Sequence, residues 1–287
     1  MTPGEAFEAF ILSLLGASPG GQKIGDAQAA VRGYIDEDST PSWKGLDKKA
    51  WCDRIIELLG NPKSFKQGNS PYCLAAACLI VLFKRTPETM ADFCNALASR
   101  GKGKIKDLEI KMTKEIQSYD VPAYAKTLDV NPVDFILLLA IQNAMSPPGF
   151  FSSGIEKPED ASPAVLAKNI KDILEGTGLF TIKDIGANSS ALTNQTADAD
   201  IILVGKGAFF KTAVRTQRHA VVVVPPVTEV GGKVTFHYWS WGMIETDLTP
   251  GVVPHHDDHG AVDYYEQTCT SAEFSSGIGT VYVATLK

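Results

Sequence analysis

Halfway along this chain of 287 residues the spacing of the apolar side chains changes, and that change limits the fold more than any other feature. Before the Pro147, Pro148, Gly149 break, the apolar positions recur at helical intervals: Phe7, Phe10, Ile11, Leu14 and Leu15, a segment around Ala27 to Ile35, then Leu46, Trp51, Ile55, Leu58 and Leu59. The connector Glu37 to Lys44 separates the last two, and Gly60 and Pro62 stop the third. An alanine- and leucine-rich run from Cys73 to Lys84 is the central buried helix. Pro87 and Glu88 open the next helix, through Met90, Phe93, Leu97 and Ala98, and Arg100 and Gly101 close it. Further helices are predicted near Asp107 to Ile116, from Pro132 to Asn143 behind an Asn131 cap, and over Glu159 to Gly176.

Beyond that point the runs are β-branched or aromatic and are parted by Gly and Pro: Ile201 to Val204, Ala220 to Val224, Val234 to Trp241 and Thr280 to Leu286. Helices first and strands second predict an α+β protein, with a helical lobe and its central helix against an antiparallel sheet and a cleft between the lobes. An N-terminal helical extension is assigned to residues 1–60. A main domain follows at 61–287, with its helical lobe at 61–150 and its β-rich lobe at 177–287.

Composition removes several classes of function. With 44% hydrophobic and 21% charged residues the chain can bury a full core without disulfides or a structural metal. Its net charge of −6 and the absence of a basic stripe argue against a nucleic-acid partner. Glu5 and Glu8 stand where a signal peptide would carry a basic start, so no classical signal peptide is read. The longest uncharged apolar run, Tyr72 to Phe83, has 12 residues. A bilayer span needs roughly 20. Five cysteines, Cys52, Cys73, Cys78, Cys94 and Cys269, make an odd set without CxxC spacing, which fits free thiols in a reducing compartment.

The chemistry centres on Gln67-Gly68-Asn69-Ser70-Pro71-Tyr72-Cys73, a loop delivering a cysteine to the start of a helix. Unpaired N–H groups and the helix dipole at that end favour an anion and can lower a thiol pKa. The same groups can hold the oxyanion of a tetrahedral intermediate. Gln67, six positions before Cys73, is placed to add a side-chain donor. Acyl transfer also needs a base, and of five histidines His219 opens the strand His219-Ala220-Val221-Val222-Val223-Val224, at a sheet end where a base would face a cleft. On burial tendency alone Cys73 reads equally well as a core residue; Gln67 and His219 together move the reading to catalysis. Cys78, more than a turn inside the helix, is read as core, and Cys52, Cys94 and Cys269 as structural.

The order Gln67, Cys73 on a helix, His219-Ala220-Val221, then Trp239-Ser240-Trp241-Gly242 resembles the papain-like cysteine peptidases. The segment around Cys73 is also similar to peptidase-like domains of bacterial secreted effectors and polymorphic toxins. The resemblance covers about 12 residues around Cys73 and roughly 25 from His219 to Gly242. It implies a papain-like fold and a protease with Cys73 as nucleophile, His219 as base, Gln67 in the oxyanion hole and Trp241 shielding the pair from water. It implies a protein substrate in a target cell, no cofactor, and a soluble chain made in the cytoplasm and delivered by a specialised secretion system. A transglutaminase or glutamine deamidase would use the same pair on another acceptor. Where the family carries Asn or Asp before Ser-Trp-Gly this chain has Trp239, which accepts no hydrogen bond from an imidazole. The orienting group must then be Ser240, His237 or Thr235, or be dispensed with, and an inactive binding module is the third reading.

The competing cluster is His255, His256, Asp257, Asp258 and His259, whose side-chain types bind metal. Set side by side after Pro254 and before Gly260, they read as a solvated loop, with His255, His256 and His259 as weak metal candidates. Lys102, Lys104 and Lys106 read as a solvated turn, and Phe65, Tyr72 and Trp239 as packing or cleft-wall residues.

Overall fold

A computed structural model describes residues 21–145, 168–195, 199–210, 218–240, 252–256 and 262–287. Its helices are α1 (Gly21–Asp36), α2 (Lys48–Gly60), α3 (Cys73–Arg85), α4 (Pro87–Arg100), α5 (Lys114–Gln117), α6 (Val121–Thr127), α7 (Pro132–Met145), α8 (Lys168–Gly176), α9 (Ser189–Thr193) and α10 (Ser271–Gly277). The strands are β1 (Lys102–Ile105), β2 (Leu108–Lys111), β3 (Phe180–Asp184), β4 (Asp200–Lys206), β5 (Arg218–Val230), β6 (Lys233–Trp239), β7 (Val252–His256), β8 (Val262–Thr270) and β9 (Ile278–Leu286). The chain is thus a mixed α+β protein whose main sheet is antiparallel, in the order β3-β9-β4-β5-β6-β8-β7.

Side chains on a strand alternate between faces, and here both faces are covered. Ile202, Val204, Ala220, Val222, Val224 and Trp239 meet the helices in one core, which α3 enters with Ala75 to Phe83 almost wholly buried. Ile201, Leu203, Val221, Val223, Phe236 and Tyr238 form a second core on the opposite face, with Phe210 and Phe274. Tyr34, Trp51 and Ile55, from the segment expected to be an N-terminal extension, lie in the same core as α3 and α7. The helix expected at Phe7 to Leu15 and the first part of the one expected from Glu159 fall outside the described residues.

Caps explain several boundaries. Asn131 accepts the Val133 N–H at 2.8 Å at the start of α7. Gly101 ends α4 with a left-handed backbone (φ 64°), a conformation cheap only for glycine. Two expectations are corrected between these helices. Lys102, Lys104 and Lys106 are solvated as expected, but the first two lie on a strand with only Lys106 in the turn, and the helix expected over Asp107 to Ile116 is instead β2 followed by the short α5. The exposed–buried alternation of Lys102, Gly103, Lys104 and Ile105 has the period of a strand. The Phe93 ring lies so close to Gly103 that a Cβ there would stand 2.8 Å from its Cδ2, an approach that lets the hairpin lie against α4. The sheet also contains β3, β7 and β8, which no run of β-branched residues announced, and β5 continues past Pro225 and Pro226 through a register shift between Val224 and Thr228.

α3 is tied to the sheet at its far end as well. Asp200 on β4 has 1% of its side chain exposed and receives Lys84 Nζ at 2.7 Å and Arg85 Nε at 2.6 Å. This anchor holds the C-terminal end of α3 to β4.

Candidate active site

Cys73 is the first residue of α3, and no side chain caps that end, so its N–H groups remain available. Backbone N–H groups of Ala220, Leu74 and Cys73 itself lie close enough to the sulfur to favour its anionic form. The sulfur also lies 3.9 Å from the Arg218 carbonyl, to which the thiol donates, although the two residues are 145 apart in sequence. Backbone groups of alternate residues in a strand point to the same edge, so the Arg218 C=O and Ala220 N–H face one way. The sulfur stands between them in the place of a further strand's residue, and β6 begins its pairing with β5 only at Val222.

His219 is the residue between those two contacts. Its imidazole belongs to the other side of the strand, with Val221 and Val223, and its ring meets Phe210 edge-on at a centroid distance of 5.9 Å. His219 Nε2 is 3.0 Å from Ser240 Oγ, which leaves Nδ1 as the nitrogen open to a thiol. No hydrogen bond joins the Cys73 sulfur to the ring: the thiol's own goes to Arg218. Of the three orienting candidates, Ser240 holds the histidine. His237 is 3.0 Å from Glu266 and Thr235 is 2.9 Å from Thr268, both on the opposite face. Trp241 lies outside the described residues.

Both groups are neutral at rest. Burial raises the Cys73 thiol pKa, and the nearby backbone N–H groups counter this only in part, so the start of α3 does not by itself favour a resting thiolate. Burial likewise lowers His219, to about 4. In the unfolded chain this imidazole takes up its proton near pH 6.5, whereas the fold delays protonation to about pH 4. The stability His219 contributes is therefore complete above pH 6.5 and is lost as pH falls toward 4, by about 3 kcal/mol over the window at ~1.4 kcal/mol per pH unit. His219→Gln is expected to flatten the pH dependence of the urea midpoint between pH 6.5 and 4; an unchanged slope would show that the ring is not buried neutral.

Gln67 is 6% exposed. Its Nε2 donates to the Ser70 carbonyl at 2.7 Å, while Ser70 Oγ donates back to the Gln67 carbonyl at 2.7 Å. An amide nitrogen carries two protons, so one remains for an oxyanion. Tyr72 and Phe65 are buried, Trp239 lines the core beside Ala220 and Val222, and Cys78 and Cys94 are fully buried with pKa values raised by desolvation. No disulfide involves any of the five cysteines.

His255 lies on β7 rather than in a loop, stacked on Tyr264 at 4.5 Å, with its Nε2 3.7 Å from Glu266 Oε2. The side chains of His256 and His259 lie outside the described residues. Among the described residues no group of three or more His, Cys, Asp or Glu side chains could hold a metal ion, and no single helix is long and apolar enough to cross a membrane. Sequence reasoning missed the Glu266 partner of His237 and the pairing of Arg54 with Asp134; the signal for both is contact between elements far apart in the chain. No protein-family model, curated protein or solved structure matches this chain.

Proposed function

We propose that this protein is a papain-like cysteine hydrolase acting on a protein substrate, with Cys73 as nucleophile and His219 as proton carrier. One observation supports the reading above the others: the Cys73 sulfur lodges against the backbone on both sides of His219, at Arg218 and Ala220. In the first step a sulfur–carbon bond forms to the scissile carbonyl as the thiol proton passes to His219 Nδ1. The carbonyl oxygen takes the negative charge and is held by the Cys73 N–H and the Gln67 amide. The carbon–nitrogen bond then breaks, the amine leaves with the proton from His219, and water releases the acyl group from sulfur. Rotation of the two side chains must close the remaining gap between thiol and ring.

A second reading, a binding module without catalysis, is favoured by one finding: the thiol is buried and its hydrogen bond goes to the Arg218 carbonyl, not to the ring. Alkylation by iodoacetamide across pH 5 to 9, followed by peptide mass spectrometry, separates the two. For a hydrolase, Cys73 is expected to react at least ~10-fold faster in the parent than in His219→Ala, because the imidazole takes the thiol proton. Equal rates in the two chains would leave Cys73 without a base and support the binding module. Incubation with candidate target proteins then assigns the acceptor, a backbone cut marking a peptidase and a gain of about one dalton at glutamine a deamidase.

A further inference from the structure

The loop that delivers Gln67 and Cys73 is clamped on both sides of Gln67 by α7 and the turn before it. Upstream, Asp134 on α7 is 0% exposed and accepts the Lys66 N–H at 3.0 Å. Its two oxygens also receive Arg54 Nε at 2.8 Å and Nη2 at 2.7 Å. Arg54, on α2, extends the clamp to Ser64, whose carbonyl accepts from Nη2 at 2.8 Å and whose Oγ accepts from Nη1 at 3.2 Å. Downstream, the Asn69 N–H donates to the Leu128 carbonyl at 2.7 Å. Gln67 and Gly68 lie between the two clamps, and Gln67 has its Oε1 buried and unpartnered and its Nε2 on Ser70.

A buried ion pair of this kind is a weak stabiliser, since well-packed apolar side chains of similar volume do as well or better. What an apolar replacement cannot supply is a fixed acceptor for the Lys66 N–H. We infer that Asp134, held by Arg54, is a positioning residue for the oxyanion site: it fixes the backbone entering Gln67 and so the place of the Gln67 amide relative to the Cys73 N–H. The inference rests on the hydrolase reading, in which those two groups face one oxygen, and goes beyond it by naming what sets their geometry.

Two reactions of the same sulfur provide the test. Acylation by p-nitrophenyl acetate passes through an oxyanion, whereas alkylation by iodoacetamide does not. A change that merely loosens the fold or buries the thiol moves both rates, and one that misplaces the oxyanion donors moves acylation alone. Asp134→Leu combined with Arg54→Met removes the pair without leaving a lone buried charge. This double variant is expected to alkylate at Cys73 within about twofold of the parent and to acylate at least ~10-fold more slowly, as is Gln67→Ala. Should the double variant fail to fold, Asp134→Asn is read by the same ratio. An unchanged ratio of acylation to alkylation in the Asp134 variants, with Gln67→Ala lowering it, overturns the positioning role and leaves the oxyanion site standing. An unchanged ratio in Gln67→Ala itself removes the oxyanion site, and the inference with it.

Discussion

Cys73→Ala is expected to abolish acyl-enzyme formation and to lower turnover of any protein substrate by on the order of 10,000-fold or more, while the fold persists. The size follows from the chemistry. Without sulfur there is nothing to form the covalent intermediate, and the remaining oxyanion donors and substrate binding supply only a residual rate. The structural cost is modest because a single buried sulfur is removed at the first position of α3, and its hydrogen bond goes to the Arg218 carbonyl at the β5 edge. A loss of about 1 kcal/mol in stability is expected from the removed contacts. Cys78→Ala is the matching control, more than a turn deeper in the same helix and fully buried; it should leave turnover intact. The measurement is intact-mass detection of the acyl-enzyme together with substrate cleavage. Turnover retained by Cys73→Ala would place the chemistry on another residue.

What the sequence revealed, and what it concealed, divides along physical lines. The start of α3 at Cys73, the Asn131 cap of α7 and the glycine end of α4 are local events, settled by a few adjacent residues, and all three stand in the structure where the residue types indicate. The two-faced sheet was legible in outline because Ala220 to Val224 is apolar at every position, as a strand covered on both sides must be. The β1–β2 hairpin was not legible. Its strands are four residues each, too short for their alternation to displace the helix read over Asp107 to Ile116, and contact with α4 decides the matter.

The site shows the same division more sharply. Its residue types were readable, since a cysteine at a helix start, a histidine at a strand start and an upstream glutamine are each marked locally. The relations among them were not. That the thiol reaches the edge of β5 while the imidazole lies on the Phe210 side depends on strand register and on how α3 crosses the sheet. The choice of Ser240 over His237 and Thr235 is a matter of parity along β6: the latter two point to the Trp239 face, where Glu266 and Thr268 meet them. The protonation states were missed for a related reason. A helix N-terminus lowers a thiol pKa, but the depth of burial that opposes it is a property of the whole assembly.

Gly68 provides the second large effect, expected from backbone geometry alone. It lies in the left-handed region with φ +55°, and a Cβ built there would stand 2.5 Å from the Asp129 carbonyl oxygen and 2.8 Å from its carbon, closer still to the Leu128 oxygen. These are backbone atoms in the turn before α7 and cannot rotate away as a side chain would. Gly68→Ala therefore combines a left-handed penalty of about 1 kcal/mol with the displacement of one of two chain segments. A loss of about 2–4 kcal/mol is expected in urea unfolding. The displacement must also break the Asn69 N–H bond to Leu128 and move Gln67, so acylation of Cys73 should fall further than stability alone accounts for. Gly33→Ala in α1 makes the contrast: a Cβ there meets nothing within 4 Å and its φ is not left-handed, so that variant should gain about 0.5–1 kcal/mol from helix propensity. Equal stabilities for Gly68→Ala and the parent would mean that the Gln67 loop does not press on Leu128 and Asp129, and the downstream clamp would be lost.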